Sequence, residues 1–334
     1  MSSAPGPAEI AADATWLAQA LDAPAGLARL VRMTPEAYRA AAFLDDRMMT
    51  QAVAAQVVPW AQVAAALAAD TRRDARWIFH IGHVGSTLVS RLLGELDGVL
   101  AVREPRLLRD IAGIGAEQRR PFAEAATALC SRTFARGDIA LVKATSFVSE
   151  IAPGLVPAGG RALLVYATPR GYIEGILAGE NSVKELRMLV ANRRQRMVGR
   201  VSPFSGTSDA EFAAEAWACE MTSLEAAAEG IGEASILWAD FDRMLGDMAA
   251  SLTRAAAFLA VPATAERLRE IVAGPLMQRY SKALEYDYSP ALRRDLLAQA
   301  RADYGGDIDS ALKLLHNAAK SSPLLERALA RAET

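Results

Sequence analysis

Residues 76–95 read RWIFHIGHVGSTLVSRLLGE, and this stretch decides the fold class. Trp77 to Ile81 is a short apolar run of the kind that forms a buried strand. The turn Gly82-His83-Val84-Gly85 ends it, and Ser86 and Thr87 open a segment with apolar residues at helical spacing. Glycines let a backbone approach a ligand closely and adopt unusual dihedrals. The free N–H groups and dipole of a helix start favour an anion. Gly82, His83, Val84, Gly85, Ser86 and Thr87 are therefore candidate ligands for a 5′-phosphate. The loop is not a Walker A motif, because Gly85 is followed directly by Ser86 and His80 stands in the first glycine's place. Magnesium-dependent ATP chemistry, as in a P-loop kinase, is correspondingly disfavoured. An ordinary tight strand-to-helix turn explains the loop equally well when it is taken alone.

Outward from this stretch the texture repeats. Further short apolar runs occur at 99–104 (VLAVRE), 139–145 (IALVKAT), 162–167 (ALLVYA) and 235–241 (SILWADF), separated by helical sequence. That alternation predicts an α/β fold, a mostly parallel P-loop-type sheet with helices on both faces. Residues 1–75 read as an N-terminal helical extension and 76–275 as the α/β domain. Within the latter, 171–230 is an Arg-rich helical insert and the possible acceptor region; 276–334 is a helical C-terminal tail.

Composition limits the partners. A net charge of −2 gives no argument for nucleic acid. No apolar run reaches the roughly 18 residues of a membrane span, and the N-terminus has no basic, apolar signal pattern. Two cysteines, Cys130 and Cys219, supply no disulfide framework, so a reducing cytoplasm is the expected location. Only five of the 37 basic residues are lysine, which singles out Lys143 at the end of an apolar strand. His80 and His83 lack a nearby third ligand, so no metal is expected. His80 alternates with apolar residues and reads as a core histidine.

Four blocks in order, over roughly 76–262, resemble the sulfotransferases that use 3′-phosphoadenosine-5′-phosphosulfate. FHIGHVGSTLVSRLL is similar to their 5′-phosphosulfate loop, and ALVKATSFVSEIAPGLVP to their strand ending in Lys-Thr. ALLVYATPRGYIEGIL is similar to their third, strand-to-helix junction, and SILWADFDRMLGDMAASLTRAAAFLAVP to their C-terminal strand and helix. The resemblance implies phosphoadenosine phosphosulfate as co-substrate, no metal, and a small-molecule or peptide acceptor.

It also implies roles. Lys143 matches the family's strand lysine and would stabilise the leaving phosphate together with His83. His83 stands where the family has Lys or Arg, and a neutral imidazole offers only a hydrogen bond. Glu104 resembles the glutamate base of tyrosylprotein and trehalose sulfotransferases; its alternative is a surface pair with Arg103 or Arg106. Ala167 and Gly175 replace the arginine and serine that hold the 3′-phosphate. Arg170 and Ser182 are the candidate substitutes, with Arg279 and Lys282 reaching back from the tail, whereas Arg193, Arg194 and Arg196 read as a solvated helix face. These replacements leave a second function class open, a nucleotide-binding pseudoenzyme or scaffold of the same fold.

Overall fold

The structure is a computed structural model that describes residues 4–50, 53–67, 71–280 and 287–333. Its centre is a five-stranded parallel sheet of β4 (Arg76–His80), β5 (Val99–Arg103), β6 (Ile139–Lys143), β7 (Arg161–Tyr166) and β8 (Ile236–Asp240), following the three N-terminal strands described below. The order is β5-β6-β4-β7-β8. Registers such as Trp77↔Val142, Phe79↔Leu164 and Val102↔Val142 place these apolar runs side by side. After its first residue each of β4 to β7 is buried throughout, because helices cover both faces. The α/β expectation therefore holds, with each strand within a residue or two of its sequence-read bounds.

The chain leaves β4 for one edge of the sheet, whereas β6 and β7 lead towards the other. Diverging connections open a crevice at the carboxyl ends beside β4. The ends of β4, β5 and β6 deliver His80, Glu104 and Lys143 there.

The N-terminal region departs from the helical expectation. Its helices are one to two turns long: α1 (Pro7–Ala12), α2 (Pro35–Ala40) and α3 (Trp60–Ala65). Between them β1 (Trp16–Asp22), β2 (Leu27–Arg32) and β3 (Ala55–Pro59) form an antiparallel sheet in the order β1-β2-β3. Leu17 and Leu21 are four apart and mimic a helix face, but six successive residues of β1 are buried, which suits a strand covered on both sides. Gly26, with φ +65, makes the hairpin turn. The Leu21 amide donates to Asp110, and buried Arg132 donates to the Ile10 and Trp16 carbonyls. Tertiary partners thus override the helical propensity of the Ala, Leu and Gln residues in β1.

Beyond β4 the helices are α4 (Ser86–Leu93), α5 (Arg106–Ala112), α6 (Ala116–Cys130), α7 (Ala152–Leu155), α8 (Pro169–Leu177), α9 (Glu180–Met197) and α10 (Asp209–Ile231). After β8 come α11 (Phe241–Gly246), α12 (Met248–Phe258), α13 (Ala265–Ala273), α14 (Pro290–Ala319) and α15 (Pro323–Glu333). The last two are no loose tail. They pack on α8 and α10 and bury Ile308, Leu315 and Leu325 completely.

α10 lies against the sheet with Trp217 fully buried. Its indole N–H donates to the Ala167 carbonyl at 2.9 Å. Trp217→Phe strands that carbonyl and should destabilise the fold by about 1–3 kcal/mol, read as a lower urea midpoint. Asp240 caps α11 by accepting from the Asp242 and Arg243 amides, and Asp242 pairs with Arg293 of α14.

Candidate functional site

A cavity of about 940 Å³ opens at the carboxyl ends of β4, β5 and β6. Its floor is the turn between β4 and α4. Gly82, His83 and Gly85 all have left-handed backbones, with φ of 78, 53 and 62. For Gly82 and Gly85 this costs little; for His83 it is a strained conformation that the flanking elements must impose. At Gly85 even a methyl group would run into the Phe241 ring, so the turn tolerates no side chain there. The six loop residues predicted as ligands all line the cavity. Thr87 Oγ1 and Thr145 Oγ1 also line it, are buried, and have no hydrogen-bond partner among the described residues. Orphaned hydroxyls beside a helix start suit a phosphate-bearing ligand.

Glu104 and Lys143 are brought together. Their backbones join through the Glu104 amide and the Lys143 carbonyl at 2.7 Å, and the ammonium forms an ion pair with Glu104 Oε1. Lys143 is 1% exposed and Glu104 7%. Glu104 too has a left-handed backbone, at φ 52, a strained setting for a residue that carries a Cβ. The surface-pair alternative for Glu104 is overturned: Arg103 donates to the Tyr38, Arg39 and Ala41 carbonyls, and Arg106 pairs with Asp46 and Asp110.

Two further groups converge on the carboxylate. Arg47 reaches Glu104 Oε2 at 3.2 Å while stacked 3.3 Å over Phe43. The segment carrying them is clamped to the end of β5, where Leu44 donates to the Arg103 carbonyl at 2.7 Å. His80 is buried, in line with the reading of it as a core histidine, and it also lines the cavity. Its Nδ1 accepts from the Gly82 amide at 2.9 Å, which leaves Nε2 protonated and 3.8 Å from Glu104 Oε1. His80 was legible only as a strand-end residue; Phe43 and Arg47 carried no sequence signal, since a separate sheet brings them in.

The remaining predicted ligands scatter. Ser182 lies beside the loop, 3.4 Å from His83 Nδ1, and Glu185 sits 3.5 Å from His83 Nε2. Arg170 does not line the cavity; it is half-exposed and pairs with Asp309 of α14. Arg279 is likewise directed to Asp287 on the surface, and Lys282 lies outside the described residues. Arg293 instead reaches the cavity from α14. Its Nε holds Asp242 at 2.9 Å, its guanidinium lies 5.4 Å from the Phe241 ring, and its Nη1 is 3.9 Å from where a side chain at Gly175 would begin. Nothing near Arg293 in sequence pointed to this. Arg193 and Arg196, read as a solvated face, also line the cavity and are largely buried.

Burial pushes the thiols of Cys130 and Cys219 up to about 12, so neither is a nucleophile at neutral pH. No described helix is long and apolar enough to cross a membrane.

No family model and no curated protein matches the chain. Among solved structures it is similar to the sulfotransferase domain from the curacin biosynthetic pathway, at 12% identity and a TM-score of 0.43 over 70% of this chain and 97% of that one. It is also similar to a mouse sulfotransferase complexed with PAP, at 11% identity and a TM-score of 0.39 over 78% of this chain and 89% of that one.

Proposed function

We propose that the protein is a cytoplasmic sulfotransferase that moves a sulfuryl group from 3′-phosphoadenosine-5′-phosphosulfate to a hydroxyl or amine of a small molecule or peptide. The observation that carries this reading is the buried Lys143–Glu104 pair beside the phosphate-type turn. Sulfuryl transfer needs a base at the acceptor proton and a cation at the oxygen that leaves with the phosphate. Here both groups end neighbouring strands and line one cavity with the loop.

In this reading the amides of the Gly82–Thr87 turn and the Thr87 hydroxyl hold the 5′-phosphosulfate. Lys143 turns its ammonium to the bridging oxygen, with His83 as a second donor. That releases the Glu104 carboxylate, which Arg47 and His80 keep in place, to accept the acceptor's proton. A bond forms between the acceptor atom and sulfur while the sulfur–bridging-oxygen bond breaks. Its electron pair stays on the departing adenosine 3′,5′-bisphosphate (PAP). Arg293 serves the 3′-phosphate, in the space that Gly175 leaves open.

Calorimetric titration with PAP tests the nucleotide reading, and absence of binding would overturn it. Arg293→Ala should weaken PAP by about 10–100-fold, the loss of one charge-assisted hydrogen bond. Affinity for adenosine 5′-monophosphate, which lacks the 3′-phosphate, should not change. The second reading, a nucleotide-binding protein without transfer, draws on His83 being tied to Ser182 and Glu185. PAP binding with no PAP release across an acceptor panel would select it.

A further inference from the structure

Along α9, the residues Ser182, Glu185, Leu189, Asn192, Arg193 and Arg196 all line the cavity, at spacings that place them on one helical face. The face begins at the loop, where Ser182 and Glu185 flank His83. Arg193 is eleven residues further on, about 16 Å along the axis. It therefore stands well away from the phosphate turn.

Arg193 is 6% exposed, and its Nε and Nη1 have no hydrogen-bond partner among the described residues. Its ion-pair partner among the described residues, Glu220, lies 3.7 Å away and is already engaged by Arg196, through Nη1 at 2.8 Å and Nη2 at 3.1 Å. Arg196 and Arg200 both also hold Glu150, at 2.8 and 3.1 Å. Three guanidiniums thus share two carboxylates; Arg193 and Arg200 are both left with buried donors that have no partner among the described residues, and of these two only Arg193 lines the cavity. A buried guanidinium with unused N–H groups on a cavity wall is costly unless a ligand satisfies it. Next to this cluster, Phe147 has the guanidiniums of Arg109 and Arg196 each 5.8 Å from its ring centre. Phe147 follows Lys143 by four residues and itself lines the cavity, giving an apolar surface between the reacting pair and the arginines.

We infer that Arg193 is an anion-recognising residue of the acceptor subsite, so that the acceptor is an acidic compound. It presents its hydroxyl to Glu104, lays an apolar or aromatic middle along Phe147 and Leu189, and gives a carboxylate or phosphate to Arg193. This rests on the sulfotransferase reading and specifies its substrate class. The competing source of an anion is the 3′-phosphate of the donor.

The test is calorimetric titration of wild type, Arg193→Met and Arg193→Lys with 4-hydroxyphenylacetate, 3-(4-hydroxyphenyl)propionate and their methyl esters, with and without saturating PAP. In wild type at least one acid should bind about tenfold or more tighter than its ester, which corresponds to about 1.4 kcal/mol. Arg193→Met should abolish that preference, Arg193→Lys should retain part of it, and neither should change PAP affinity. Equal binding of acids and esters, or no binding of either acid, overturns the inference. So does a loss of PAP affinity in Arg193→Met, which would move Arg193 to the donor site. Failure of wild type to bind PAP overturns the underlying reading instead, while the titrations without PAP still report on Arg193.

Discussion

Lys143→Met is expected to lower stability by about 3–5 kcal/mol and to reduce sulfuryl transfer by about 100–1,000-fold. The stability loss follows from burial. Methionine fills much the same volume, but it leaves the Glu104 carboxylate nearly enclosed without its ammonium, and breaking one side of a buried ion pair carries that cost. In a melt the change is a fall of roughly 6–10 °C, at about 2 °C per kcal/mol for a chain of this length. In the proposed mechanism the kinetic loss follows from removing the cation that would meet charge on the leaving oxygen. The double variant Lys143→Met with Glu104→Gln separates the two effects. With neither charge present, most of the stability should return while transfer stays abolished. Recovery of transfer along with stability would show that the pair is structural and would sink the catalytic assignment.

Gly85→Ala should remove PAP binding by 100-fold or more, on the order of 3 kcal/mol, and should also destabilise the fold. Two costs add at this position. A left-handed backbone costs an alanine roughly 1 kcal/mol, and the new methyl group must displace the buried Phe241 ring. Displacement also disturbs Arg293, whose guanidinium rests against that ring. Loop geometry and the proposed 3′-phosphate contact therefore fail together. Adding Phe241→Leu to Gly85→Ala should restore part of the melting temperature but little of the PAP affinity, measured by calorimetry. Unchanged PAP affinity in Gly85→Ala would rule the turn out as the phosphate site.

The parts of the site that the chain announces are the ones built from contiguous residues. The turn at 82–87 and the strand-end positions of Glu104 and Lys143 could be read because an apolar run, its terminus and the following glycine are adjacent in sequence. Arg47, Arg193 and Arg293 could not, because each arrives on an element whose docking no local pattern specifies. Arg170 shows the converse error. It follows Ala167 by three residues and reads as a substitute ligand for that position, yet α14 supplies Asp309 and draws it outward.

Local periodicity by itself determined the five parallel strands, their intervening helices and the glycine turn between β4 and α4, since buried strands and amphipathic helices carry their period within a few residues. Only tertiary structure decided that Trp16–Asp22 is a strand and that α14 closes the cavity. It also decided that Arg193 lines the cavity with unused donors. The physical reason is tertiary in each case: burial on both faces overrides the strong helical preference of an alanine- and leucine-bearing segment, and an ion pair is chosen by which carboxylates the packed helices bring within reach.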